Sequence, residues 1–181
     1  NALFFASYGQ RMLPSEAGRT TMCPTELFFD RTNNESYLML LPFETRTGEL
    51  SLQQQRKRPE NWVRHELAED NPTVMREVLS EVARVKSVSI GEARKLGFDE
   101  DMLETDPRLP GNVLVPAWRN AQISIRHPLF ERGLRILDTP GLNALGSEPE
   151  LTMSMLPRAH AVIFVLGADT GVTASDMTIW K

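Results

Sequence analysis

Cysteine and histidine are scarce: one cysteine, Cys23, and three histidines in 181 residues. An internal disulfide is impossible, and His65, His127 and His160 lie too far apart in sequence for a zinc-ligand pattern. A reducing compartment is the natural reading. Long hydrophobic runs are missing as well, since Ala161 to Leu166 falls far short of the ~20 residues that span a bilayer. Charge of one sign is not in excess: the net charge is -4, which gives no general reason to bind nucleic acid or an anionic membrane. With 41% hydrophobic and 24% charged residues the composition excludes a fibrous or wholly disordered chain. The start, NALFFASYGQ, has neither an initiator Met nor a signal-peptide layout, and the end, DMTIWK, stops inside an amphipathic stretch. The expectation is a fragment cut at both ends.

What is present reads as α/β. Gly133 to Asp138 and Ala161 to Leu166 carry strand signals, the second apolar on both faces like a central strand covered by helices. Between them Ser147 and Glu150 have capping-box spacing, Leu151 and Met155 share a helical stripe, and Pro157 limits that helix. Strand, helix and buried strand would make a right-handed βαβ crossover. Ala121 to Arg126 alternates with period two, and the loop from Pro128 to Gly133 is expected to return it as an antiparallel hairpin at the sheet edge. Thr25 to Phe29 and Tyr37 to Phe43 read as strands around the polar turn of residues 30–36.

The middle, roughly Thr45 to Pro116, is charged and reads as helical. Asn71 as N-cap and Pro72 at N1 open a helix with Val74, Val78, Leu79, Val82 and Val85 on one face. A shorter helix over Pro59 to Ala68 precedes it, and Ile90, Ala93 and Leu96 mark another that ends at Gly97. The basic run Arg56-Lys57-Arg58 reads as a solvated helix start. Cys23 and His160 have no spacing that would pair them for catalysis.

Asp138-Thr139-Pro140-Gly141 directly follows a strand. A carboxylate at the carboxyl end of a strand in an open α/β sheet stands where such sheets bind ligands. Asp138 suits a Mg²⁺ ion held through water, and Gly141, without a Cβ, lets its N–H approach a terminal phosphate. An ordinary strand-ending turn would look the same. Upstream, Gly18 to Leu27 is a polar loop running into a strand, where Thr20 or Thr21 offers a hydroxyl to Mg²⁺ and a carbonyl to an attacking water. A plain turn or strand entry is the alternative there.

Together these segments resemble the dynamin-like GTPases, the bacterial members in particular. Asn1-Ala2-Leu3 is similar to the end of the family's phosphate-loop helix, Leu13-Pro14 to its Leu-Pro element, and Thr21-Met22-Cys23-Pro24 to switch I. Leu137 to Leu142 resembles switch II, and Ala159 to Thr173 an apolar strand before an Ala-Asp turn, with Thr173 and Asp176 spaced to cap a last helix. The resemblance covers Asn1 to Leu41 and Ala121 to Lys181. It implies a P-loop NTPase-like mixed sheet with flanking helices, truncated at both ends, with a mainly helical insertion over residues 45–116. It further implies GTP binding and hydrolysis with Mg²⁺ in the intact protein, self-association through this domain, membrane remodelling, peripheral lipid contact, a cytoplasmic location at the inner face of the membrane, and no nucleic-acid partner. Thr21 would be the switch I Mg²⁺ ligand, with Thr20 as the other register; Asp138 would hold the ion through water. Thr139, Pro140 and Gly141 would line the nucleotide, with Thr21 and Gly141 taking the catalytic roles.

Two departures qualify this. The G-x-x-x-x-G-K-[ST] loop is absent and is expected before Asn1; the guanine-reading [NT]-K-x-D segment is absent and is expected after Lys181. The fragment alone is therefore expected to be inactive. Leu142 stands where Ras-type enzymes place a water-orienting glutamine, and a leucine cannot make that hydrogen bond. Backbone atoms of Thr21 and Gly141, a phosphate-loop side chain, or a cation or residue organised by dimerisation would have to serve instead. The rival readings are a P-loop GTPase of ribosome assembly or translation, and a nucleotide-independent scaffold.

Overall fold

The computed structural model describes residues 23–99 and 103–140, together with Leu13, Asp101, residues 156–163, Gly171 and Met177. Among these described residues eight strands and four short α-helices follow in chain order: β1 (Thr25–Phe28), β2 (Tyr37–Pro42), α1 (Leu52–Gln55), β3 (Val63–Glu66), α2 (Pro72–Ser80), β4 (Val85–Ser89), α3 (Ile90–Lys95), β5 (Glu104–Thr105), β6 (Asn112–Pro116), β7 (Trp118–Ser124), α4 (Pro128–Glu131) and β8 (Ile136–Asp138). Two sheets result, one of five strands in the order β3-β2-β7-β1-β8 and one of three in the order β4-β6-β5. The larger sheet is mixed: β1 runs parallel to β7, and the other neighbouring pairs are antiparallel. The α/β class and mixed sheet read from the sequence are those of the structure.

Register assigns the faces. Leu27, Ile123 and Leu38 align across β1, β7 and β2, as do Thr25, Ala121 and Leu40, so strand period two sends these side chains to one side. There they join Met75, Leu79, Val82, Trp118 and Phe130 in the main core. The opposite face carries Leu41 against Leu52 and Trp62. A third cluster, around Phe43, Phe98, Val113 and Val115, closes the small sheet, with the rings of Phe43 and Phe98 stacked at 4.5 Å.

Local signals set the helix ends. Asn71 Oδ1 accepts from Val74 N at 3.2 Å with Pro72 in the first turn, as its residue type predicts. α3 stops where expected: Gly97 has φ +82, and Gly97 N and Phe98 N reach back to the carbonyls of Arg94 and Ala93, a Schellman closure that requires the left-handed residue to lack a Cβ. Gly133, φ +95, closes α4 in the same way, donating to Phe130 O while Leu134 N donates to Leu129 O.

Several expectations are corrected. β7 and β8 do not form a hairpin, because β1, buried along its length, lies between them and needs a partner on each edge; α4 carries the chain across. The helix expected over residues 59–68 is a single 3-10 turn, Pro59–Asn61, followed by β3, which pairs with β2 from Leu40↔Val63 to Tyr37↔Glu66. The middle holds the expected α2 and α3 but also strands β3 to β6. In α2 the buried residues are Met75 and Leu79, while Val74 is 40% exposed and Val85 belongs to β4. Arg56 follows α1 rather than opening a helix, and it is partly buried. Residues 161–163 are in no strand and exposed, with Ile163 at 90%, against the buried strand expected there. The remainder of that strand, the helix around Leu151 and Met155, and Thr173 with Asp176 lie outside the described residues.

Candidate functional site

β8 ends at Asp138, and this end of the sheet is set by β1. The antiparallel register pairs Thr25 with Asp138, Glu26 with Leu137 and Leu27 with Ile136, and residues so paired have Cα atoms about 4.5–5.5 Å apart. Asp138 is exposed, Thr139 half-buried and Pro140 buried. The polypeptide that enters β1 therefore arrives directly beside the carboxylate that leaves β8. Thr20, Thr21 and Gly141 lie outside the described residues.

The entry to β1 is pinned by polar bonds. The Pro24 carbonyl accepts from Ala121 N at 3.0 Å and from Asn120 Nδ2 at 3.0 Å, so both of its lone pairs are engaged. Thr25 Oγ1 donates to Cys23 O at 3.0 Å and Thr25 is 2% exposed, so its enclosed hydroxyl is directed away from any ligand at Asp138. Cys23 is fully buried, and burial pushes its thiol up to about 12, outweighing the opposite influence of the neighbouring Thr25 hydroxyl. A thiol so protonated at neutral pH is no nucleophile. His160 is exposed, whereas Cys23 packs in the main core.

Glu26, on the opposite face of β1 from Thr25, was not singled out by the sequence. It is buried, yet Oε1 accepts from Arg135 Nη1 at 2.9 Å and Oε2 lies 2.9 Å from Arg56 Nη2. The Arg56 contact is as close but less well aligned: among the described residues neither Nη2 nor Nε of Arg56, both buried, meets an acceptor in hydrogen-bond geometry. Arg135 also lies over the Phe28 ring, 4.6 Å from its centroid. A charged residue inside the buried TELF strand was the available signal, because buried carboxylates are paired.

The donor set suits a hard cation held mainly by phosphate. Asp138 supplies one exposed carboxylate and Thr139 a hydroxyl beside it, whereas Mg²⁺ binds through one or two carboxylates plus phosphates and water. Among the described residues no group of three or more His, Cys, Asp or Glu forms a metal cage.

No curated protein matches the chain. Among protein families, the one described as Dynamin family matches residues 6–180, taking in β1, Asp138 and the whole stretch between β2 and β7. The chain belongs to the dynamin family, whose members are GTP-binding GTPases.

Proposed function

We propose that this chain forms the part of a GTPase site where switch I and switch II meet a Mg²⁺-bound triphosphate. The observation that carries it is the register of Thr25 opposite Asp138. Thr21 precedes Thr25 by four residues, and a chain that advances at most ~3.6 Å per residue keeps it within about 14 Å of the strand position facing the carboxylate. Covalent reach thus permits the two to converge on one ion.

In this reading Asp138 orders a water of the ion's shell, and the Thr21 hydroxyl, or Thr20 in the other register, is the direct ligand. When bound, the ion neutralises charge on the β- and γ-phosphate oxygens. Thr139 and Pro140 fix the turn that presents the Gly141 N–H to the γ-phosphate, and the Thr21 carbonyl orients the attacking water that Leu142 cannot. Membership of the family supports extending this to self-association driven by nucleotide and to membrane remodelling from the cytoplasmic face. Among the described residues no helix is long and apolar enough to cross a membrane, and the lipid contact in this reading is peripheral. Residues 45–116 would be an insertion in the GTPase domain, a reading supported by β2 and β7 being direct antiparallel neighbours although this stretch separates them.

The test is GTP turnover by the full-length protein against Mg²⁺ concentration. Asp138→Ala should lower Mg²⁺ affinity about 10–100-fold; wild-type Mg²⁺ dependence in that variant would overturn the assignment.

A further inference from the structure

β8 has three residues and, among the described residues, pairs on one edge only, with β1. Side-chain bonds on that edge add to the ladder in fixing the strand. The bonds in question run from Arg135, three residues before Asp138, to Glu26 and to the Phe28 ring. The second oxygen of the same carboxylate faces Arg56, which belongs to the stretch between β2 and β7 and directly follows α1.

We propose that Glu26 is a positioning residue that couples the β2–β7 stretch to Asp138, with Arg56 and Arg135 sharing its one buried carboxylate. The inference rests on the nucleotide reading of Asp138 given above. Two guanidiniums compete for one negative charge. Arg135 holds it through an aligned hydrogen bond, whereas Arg56 meets it at the same distance without that alignment, so Arg56 is the arm that can yield. When α1 carries Arg56 towards or away from the sheet, Glu26 is released to or drawn from Arg135, and the position of β8 shifts with it. A bound partner or a second copy that moves α1 would in this way adjust the Mg²⁺ end of the sheet.

Two readouts in the full-length protein test this. In nucleotide-free protein, Arg56→Gln should accelerate amide hydrogen exchange in β8 about fivefold or more, with α2 unchanged. With GTP present, the same variant should raise the half-saturating Mg²⁺ concentration about fivefold or more, a larger change than in kcat. Arg56→Lys, which keeps the charge, should restore most of both, and Lys57→Gln, an exposed neighbour, should match wild type. Arg56→Gln and Arg135→Gln should combine non-additively, because both act through Glu26. If Arg56→Gln fails to fold, Arg135→Gln replaces it, its side chain being 63% exposed. Wild-type exchange in β8 and wild-type Mg²⁺ dependence in the folded variant, alongside a lost Mg²⁺ response in Asp138→Ala, would overturn the coupling and leave the site intact. A wild-type Mg²⁺ response in Asp138→Ala would overturn the site and the coupling with it.

Discussion

Asn120 and Pro24, 96 residues apart, meet inside the sheet: the Asn120 amide donates to the Pro24 carbonyl at 3.0 Å. Asn120 is fully buried, and its Oδ1 has no hydrogen-bond partner. This contact fixes the point at which the chain enters β1 and therefore the position of Thr25 opposite Asp138.

Asn120→Ala removes the donated bond and the unpaired oxygen together, so we expect a loss of about 1–2 kcal/mol in urea unfolding. Asn120→Asp should behave differently with pH. A buried carboxyl against a carbonyl oxygen is favoured in its neutral form, which raises its folded pKa above the unfolded value of about 3.9. Its stability is then retained below that value and lost as pH rises. The variant should approach Asn120→Ala at pH 4 and fall clearly below it at pH 8; equal midpoints at the two pH values would refute the argument.

Cys23 offers a simpler check. Its thiol is enclosed and pushed up to about 12 by burial, so at pH 8 neither access nor ionisation favours attack on a disulfide reagent. Native protein should label in step with global or local opening, and protein in 6 M guanidinium at once. Immediate labelling of the native state would mean that the start of β1 is not enclosed as described.

Within α2, burial separates neighbours that look alike in sequence. Leu79 is fully enclosed in the main core, while Val74 is 40% exposed. Leu79→Ala should cost about 2–5 kcal/mol, and Val74→Ala about 0.5 or less, by denaturant midpoint. Similar losses from the two would restore the broad Val74-centred face that the structure replaces with Met75 and Leu79.

The features legible in sequence are those whose cause is local. Asn71 caps and Gly97 closes their helices because the deciding bonds run within four or five residues, and Asp138 ends its strand before Thr139 and Pro140. Partner choice was not legible. The alternation in β7 marks a strand but not that β1 intervenes before β8, since that outcome depends on which strand can be buried on both edges. Val82 and Val85 fit a helical period as well as the start of a strand. The pairing of β4 with β6, Val88 opposite Val113, decides between them over a distance that periodicity does not span. Glu26 escaped for the same reason: its partners lie 30 and 109 residues away.

Acid stability should report on the turn between β1 and β2. Asp30 Oδ1 accepts from Thr32 N at 3.0 Å and Asn33 N at 3.1 Å, while Oδ2 accepts from Asn33 Nδ2 at 2.9 Å and Tyr37 Oη at 3.3 Å. Desolvation works against the carboxylate, but the bonds from Asn33, Thr32 and Tyr37 more than offset it and hold the carboxyl below its usual range. A group depressed in the folded state contributes stability above its unfolded pKa of about 3.9, and that contribution disappears as pH falls through the folded value. Asp30→Asn keeps a similar shape but cannot present two charged acceptors. Its Tm should lie about 2–4 °C below wild type at pH 7, and the gap should close as pH drops below about 4. Glu44, held below its usual range by Lys86 against its own desolvation, contributes to the acid slope of both proteins alike, so the difference between them isolates Asp30. A gap that stays constant from pH 7 to pH 3 would show that the turn depends on the shape of the side chain rather than on its charge.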